Sequence, residues 1–94
     1  MKIAKGFKLK TLQGKEGEKE KGVVITVGEA SKKLNGVITL NETATYIFQA
    51  IENGKSVEEM AEEMLKEYEV EKDVLVADIL EVIEELRKIG AIDD

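Results

Sequence analysis

Apolar and polar positions follow a period near two as far as Leu40 and a period near 3.6 beyond it, so the chain reads as strands followed by helices. Phe7-Lys8-Leu9-Lys10-Thr11-Leu12 alternates before slipping, as a half-buried strand does. Val23 to Val27 is β-branched throughout and bounded by Gly22 and Gly28, which predicts a second strand. Gly36 opens a third, Val37 to Leu40. Consecutive short strands pair most simply as an antiparallel meander with two exposed edges. Gly14 to Gly22 holds only Lys, Glu and Gly and is expected to be a mobile hairpin loop. Glu29 to Asn35 reads as a turn or one loose helical turn.

The helical half is punctuated by its caps. Asn41 can accept a free N–H of the first turn, Ala44, Ile47, Phe48 and Ile51 follow on one face, and Gly54 can take the left-handed C′ position. Ser56 and Glu59 have capping-box spacing, and Val57, Met60, Ala61, Met64, Leu65 and Tyr68 form an amphipathic stripe behind them. A last helix starts between Glu71 and Asp73 and stops at Gly90, with Arg87 and Lys88 at the negative dipole end and Ala91-Ile92 closing the cap. Strands within residues 5–40 and helices at about 42–53, 57–68 and 72–89 predict a small α+β, winged-helix-like fold. It would be a single domain spanning residues 1–94, a three-stranded antiparallel sheet followed by three helices.

Two surfaces of that fold exceed what a core needs. At about 100° per residue, Leu75, Ile79, Val82, Leu86 and Ile89 share one stripe of the last helix, with Ile83 at its border. Val76 and Leu80 fall outside the stripe, on a flank that either meets a neighbour or walls a groove for a peptide. The third strand, Val37, Ile38, Thr39 and Leu40, carries neither charge nor proline, the usual protections of a sheet edge.

Composition removes several functions. The chain has 94 residues without cysteine or histidine, so thiolate chemistry, the commonest general base and the commonest transition-metal ligand are all missing. No phosphate-loop glycine cluster or EF-hand spacing occurs, and the acid pairs Glu58/Glu62 and Glu81/Glu85 sit at helix-surface spacing without a cleft. No cofactor, metal or catalytic residue is expected. No apolar run reaches membrane-span length and the N-terminus lacks a signal-peptide core, which predicts a soluble, cytoplasmic protein. Net charge is −6, divided between +5 over residues 1–40 and −11 over residues 41–94. Such a dipolar distribution solubilises a helical half or steers a charged partner. A winged helix also raises DNA binding, but the last helix sets Asp73, Asp78, Glu81, Glu84 and Glu85 against Lys72, Arg87 and Lys88. That sign opposes phosphate, so no nucleic-acid partner is expected.

Taken in order, several motifs resemble the PqqD family, the recognition elements for ribosomally made and modified peptides. They are Val27-Gly28-Glu29-Ala30, Leu40-Asn41-x-Thr43-Ala44 with Phe48, Gly54-x-Ser56-x-Glu58-Glu59, Tyr68-x-Val70, Asp78, and Leu86-x-x-x-Gly90-Ala91-Ile92. Each is ordinary capping or core chemistry; their order and spacing carry the likeness, from about Val23 to Ile92. The family's frequent tryptophan is Phe48 here. The resemblance implies a non-catalytic module that binds the leader of a precursor peptide as an added strand and delivers it to a modifying enzyme, often a radical SAM maturase. It implies contacts at Val37, Ile38, Thr39 and Leu40 on the strand and at Val76, Ala77, Leu80, Glu84 and Arg87 on the last helix. A monomer without cofactor is expected. The alternative is a winged-helix module that docks on or regulates a protein without capturing a leader.

Overall fold

A computed structural model of the chain describes residues 1–12, 21–32 and 36–93. A short β1 (Lys2–Ile3) leads into β2 (Phe7–Leu12), β3 (Lys21–Thr26) and, after a 3₁₀ turn over Gly28–Lys32, β4 (Ile38–Leu40). Helices α1 (Glu42–Glu52), α2 (Val57–Met64) and α3 (Lys72–Lys88) follow, and the chain ends on β5 (Ile92–Asp93). The sheet has the order β2-β3-β4, antiparallel throughout, with Phe7 opposite Thr26 and Val24 opposite Ile38. This is the expected α+β arrangement of three strands and three helices. Most of the hairpin loop expected at Gly14 to Gly22 lies outside the described residues, but Lys21 and Gly22 already belong to β3.

Alternation assigns each strand two faces. Phe7, Val24 and Leu40 are buried beneath the helices, whereas Lys8, Lys10, Lys21 and Thr39 point away and are exposed. Helix α1 lies on the inner face, in contact with all three strands. Gly22 permits that approach: a Cβ there would stand 2.6 Å from Leu9 Cδ1 and 2.9 Å from Thr45 Oγ1. Thr45 is itself buried, and its hydroxyl donates to the Asn41 carbonyl at 2.8 Å, so no polar group is stranded at the contact. Ile47, Phe48 and Ile51 of α1, Met60 of α2 and Ile79 of α3 are almost fully enclosed, each burial worth roughly 1.5–3 kcal/mol.

The caps follow the sequence closely. Asn41 Oδ1 accepts from the Ala44 N–H at 2.8 Å, and Ser56 and Glu59 exchange both bonds of the capping box at 3.1 Å. At the end of α3, Gly90 takes φ +81°, its N–H reaching the Arg87 carbonyl while the Ala91 N–H reaches Leu86. These two bonds make a complete Schellman motif.

Three features differ from expectation. Ile92 does fold back into the core, but as part of β5, which pairs with β1 so that Ile3 faces Ile92 and Lys2 faces Asp93. Helix α2 ends at Met64 rather than at residue 68, because the N–H groups of Lys66 and Glu67 turn to the Glu63 and Met64 carbonyls three residues back and tighten the chain. On α3 the buried stripe is Leu75, Ile79, Ile83 and Leu86, with Val82 and Ile89 only half-buried. The helix packs against α1, α2 and β5, and those neighbours rotate its buried arc toward Ile83.

Candidate functional site

Strand β4 closes one side of the sheet. Its three residues pair with β3 on one edge, and among the described residues no strand covers the other. Alternate backbone N–H and C=O groups therefore lie open along that edge. Val37 stands just before the strand rather than in it, 65% exposed. Thr39 is exposed on the outer face, Ile38 is half-buried against the core, and the Leu40 side chain is buried. Leu40 can meet a partner only through its backbone.

The second surface is the flank of α3. Val76, Leu80, Glu84 and Arg87 recur at helical spacing and share one face. Val76 is half-buried and packs on the core, while its neighbour one turn later, Leu80, is 48% exposed. Ala77 is exposed beside them, and Glu84 forms an ion pair with the half-buried Arg87. The flank is therefore apolar toward its N-terminal end and carries a paired charge toward its C-terminal end. Beneath both surfaces lies α1, which packs on β4 and on α3 alike.

Sequence reasoning overlooked the N-terminal extension of this flank. A shallow depression of about 520 Å³ is lined by Glu71, Lys72, Asp73 and Val76. The signal was present, since Asp73, Val76 and Leu80 stand at i, i+3 and i+7, but Asp73 served only to mark the helix start. Lys72 donates to Glu58 of α2 at 2.6 Å, and that hydrogen bond raises its ammonium pKa above the ordinary lysine range.

Two tyrosine clasps, also missed, hold α1 to the segments behind it. Tyr68 donates to Glu42 Oε1 at 2.8 Å, and Tyr46 donates to Glu63, whose carboxylate also receives Lys55 at 2.7 and 2.8 Å. The Lys55 and Tyr46 hydrogen bonds lower the Glu63 pKa, while burial, reinforced by Glu63, pushes the Tyr46 phenol well above its usual value. These groups satisfy one another's hydrogen bonds. Among the described residues no cluster of three acids is placed to hold a metal, and no helix is long and apolar enough to cross a membrane.

A three-stranded antiparallel sheet with three helices makes this a small α+β domain. The sequence matches the family described as Coenzyme PQQ synthesis protein D (PqqD) over residues 20–92, and the chain belongs to that family. The fold is similar to the solved structure "TbiB1 in Complex with the TbiA(beta) Leader Peptide", with a TM-score of 0.73, 18% identity and 100% of each chain covered. No curated protein sequence gives a significant match.

Proposed function

We propose that this chain is a non-catalytic peptide-binding module that captures the leader of a ribosomally made precursor by strand addition at β4. It then presents that precursor to a modifying enzyme, a radical SAM maturase, and it works in the cytoplasm as a monomer. The observation that carries the reading is the uncharged, unpaired edge of β4 together with the exposed Leu80 on α3. Backbone pairing along an edge supplies affinity with little demand on sequence, and an apolar flank selects alternate side chains of the added strand. Membership of the PqqD family supports this, as does the likeness in fold to TbiB1, a protein solved in complex with a leader peptide. Glu84 and Arg87 would set the polar limit of the site, and Val76, Ala77 and Leu80 its apolar floor. Micromolar binding, about −8 kcal/mol, is the expected strength after the cost of ordering a flexible leader.

The test is an NMR titration of the labelled chain with the leader of the precursor encoded beside it. Amide shifts should concentrate on residues 36–41 and 76–87. Leu80→Glu should weaken binding at least about tenfold, equivalent to about 1.4 kcal/mol, because the new charge must be desolvated where an apolar group docks. With half of the Leu80 side chain already in solvent, the variant should melt within a few degrees of wild type. Shifts confined to β2 would move the site elsewhere. No binding at millimolar leader would favour a docking or regulatory module that captures no leader.

A further inference from the structure

Among the described residues, the helices cover only the inner face of the sheet. On the outer face β2 and β3 set Lys8 opposite Ile25 and Lys10 opposite Val23, with Lys21 at the start of the same row. Val23 and Ile25 are half-buried although no helix lies over them, as expected where lysine stems rest along neighbouring β-branched side chains. Lysine on β2 is sufficiently explained as protection of an exposed edge. That explanation does not reach Lys5, which precedes β2, while Lys21 stands one residue beyond the part of β3 that β4 pairs.

The face continues into a pocket of about 330 Å³ lined by Lys5, Gly6, Lys8, Val27 and Ala30 among others. Val27 is 48% exposed there. Glu29, at the pocket rim, is paired with Lys32 at 3.2 Å. Among the described outward-facing residues of β2, β3 and β4 none is acidic, in a chain whose net charge is −6. The surface is thus an apolar strip flanked by lysines, with an anchoring pocket whose charged lining is Lys5, Lys8 and the Lys32-paired Glu29. It lies apart from the α3 flank, which runs behind the opposite face.

We propose that the outer face of the sheet is the docking surface for the modifying enzyme, and that the enzyme meets it with an acidic patch around an apolar anchor. The proposal rests on the leader-binding reading above, because only a leader held at β4 gives the enzyme a reason to dock beside it. Charge complementarity selects the acidic partner. Docking on this face leaves the flank of α3 uncovered, so enzyme and leader bind together.

The test uses the full chain and a triple variant, Lys8→Gln, Lys10→Gln and Lys21→Gln, which keeps long polar stems and removes three charges. The first probe is a labelled helical peptide with leucines on one face flanked by glutamates, and the second is the modifying enzyme encoded beside this chain. Wild type should bind the acidic peptide with amide shifts over residues 8–10 and 21–27, should ignore its lysine-for-glutamate counterpart, and should bind more weakly as salt rises. The triple variant should lose at least about tenfold toward peptide and enzyme, yet hold the leader within about twofold of wild type. Ile25→Asp, which changes the apolar strip and leaves the lysines, should show the same selective loss. Three results overturn the proposal: enzyme binding unchanged in both variants, acidic-peptide shifts confined to residues 36–41 and 76–87, or a face that binds a second copy of the chain or duplex DNA instead. A wild-type chain that binds peptide and enzyme but no leader would overturn the leader reading alone.

Discussion

The two edges of the sheet differ in the way that matters for a partner strand. Strand β2 runs six residues and carries Lys8 and Lys10; β4 runs three and carries no charge. A long edge needs protection against adventitious pairing, and lysine supplies it, because adding a strand would crowd or desolvate the ammonium groups. A short edge is partly protected by its length, so leaving it bare costs little in solubility. The bare edge also adjoins α1, which connects it structurally to the apolar flank of α3. Protection against strand pairing is therefore placed on the edge where no added strand is proposed and omitted on the edge where one is.

Both edges depend on α1, so the severest way to abolish the contrast is to remove its anchor. Phe48 is fully enclosed, and Phe48→Ala should cost about 3–5 kcal/mol, close to the whole stability of a domain this size. Chemical denaturation should show a large fall in midpoint; a midpoint near wild type would mean that α1 does not organise the sheet. A smaller effect is expected at the central strand. Gly22→Val must push Leu9 and Thr45 aside, an overpacking expected to cost about 1–3 kcal/mol. Since Leu9 lies on β2 and Gly22 pairs with Leu40 on β4, hydrogen exchange should quicken along both outer strands. Loss of protection at one edge alone would show that the two are independently held.

Exchanging the character of the edges sharpens the contrast further. Thr39→Lys gives β4 the kind of side chain that β2 carries, at an exposed position where folding should be undisturbed. Leader affinity should fall about three- to tenfold, at most about 1.4 kcal/mol. The reciprocal Lys10→Thr on β2 should leave leader affinity unchanged. Equal effects from the two substitutions in a fluorescence titration would show that edge chemistry does not direct the leader.

Much of this architecture was legible because it is written in local chemistry. Asn41, Ser56 with Glu59, Gly54 and Gly90 each fix a helix end through bonds to residues no more than five positions away. The β1–β5 pair joins the two ends of the chain, and two-residue strands are too short to show any period. The end of α2 was read too late because Leu65 and Tyr68 keep the apolar spacing after the backbone has left the helix. At the site, Leu80 was found by exclusion from the helical stripe, whereas Leu40 could not be recognised as a core side chain from a run that is apolar at three of its four positions. The Tyr46 and Tyr68 clasps bridge 17 and 26 positions in sequence, beyond any local signal.

The smallest expected effect concerns a contact that should leave both edges alone. Glu63 joins α2 to α1 through Tyr46 and Lys55, and those hydrogen bonds depress its carboxyl pKa below the ordinary 4.5. A depressed folded-state pKa contributes stability that is fully present above the ordinary value and is lost as pH falls through the lowered one. Glu63→Gln removes the charge but can still accept from Tyr46. The melting temperatures of wild type and variant should therefore differ by a constant small amount above about pH 5 and converge as pH drops below about 4. Amide shifts between pH 5 and pH 3.5 should mark Tyr46, Lys55 and Glu63 well before they mark residues 38–40. If β4 responds first, the bare edge is coupled to the α1–α2 clasp, and the independence of edge and clasp fails.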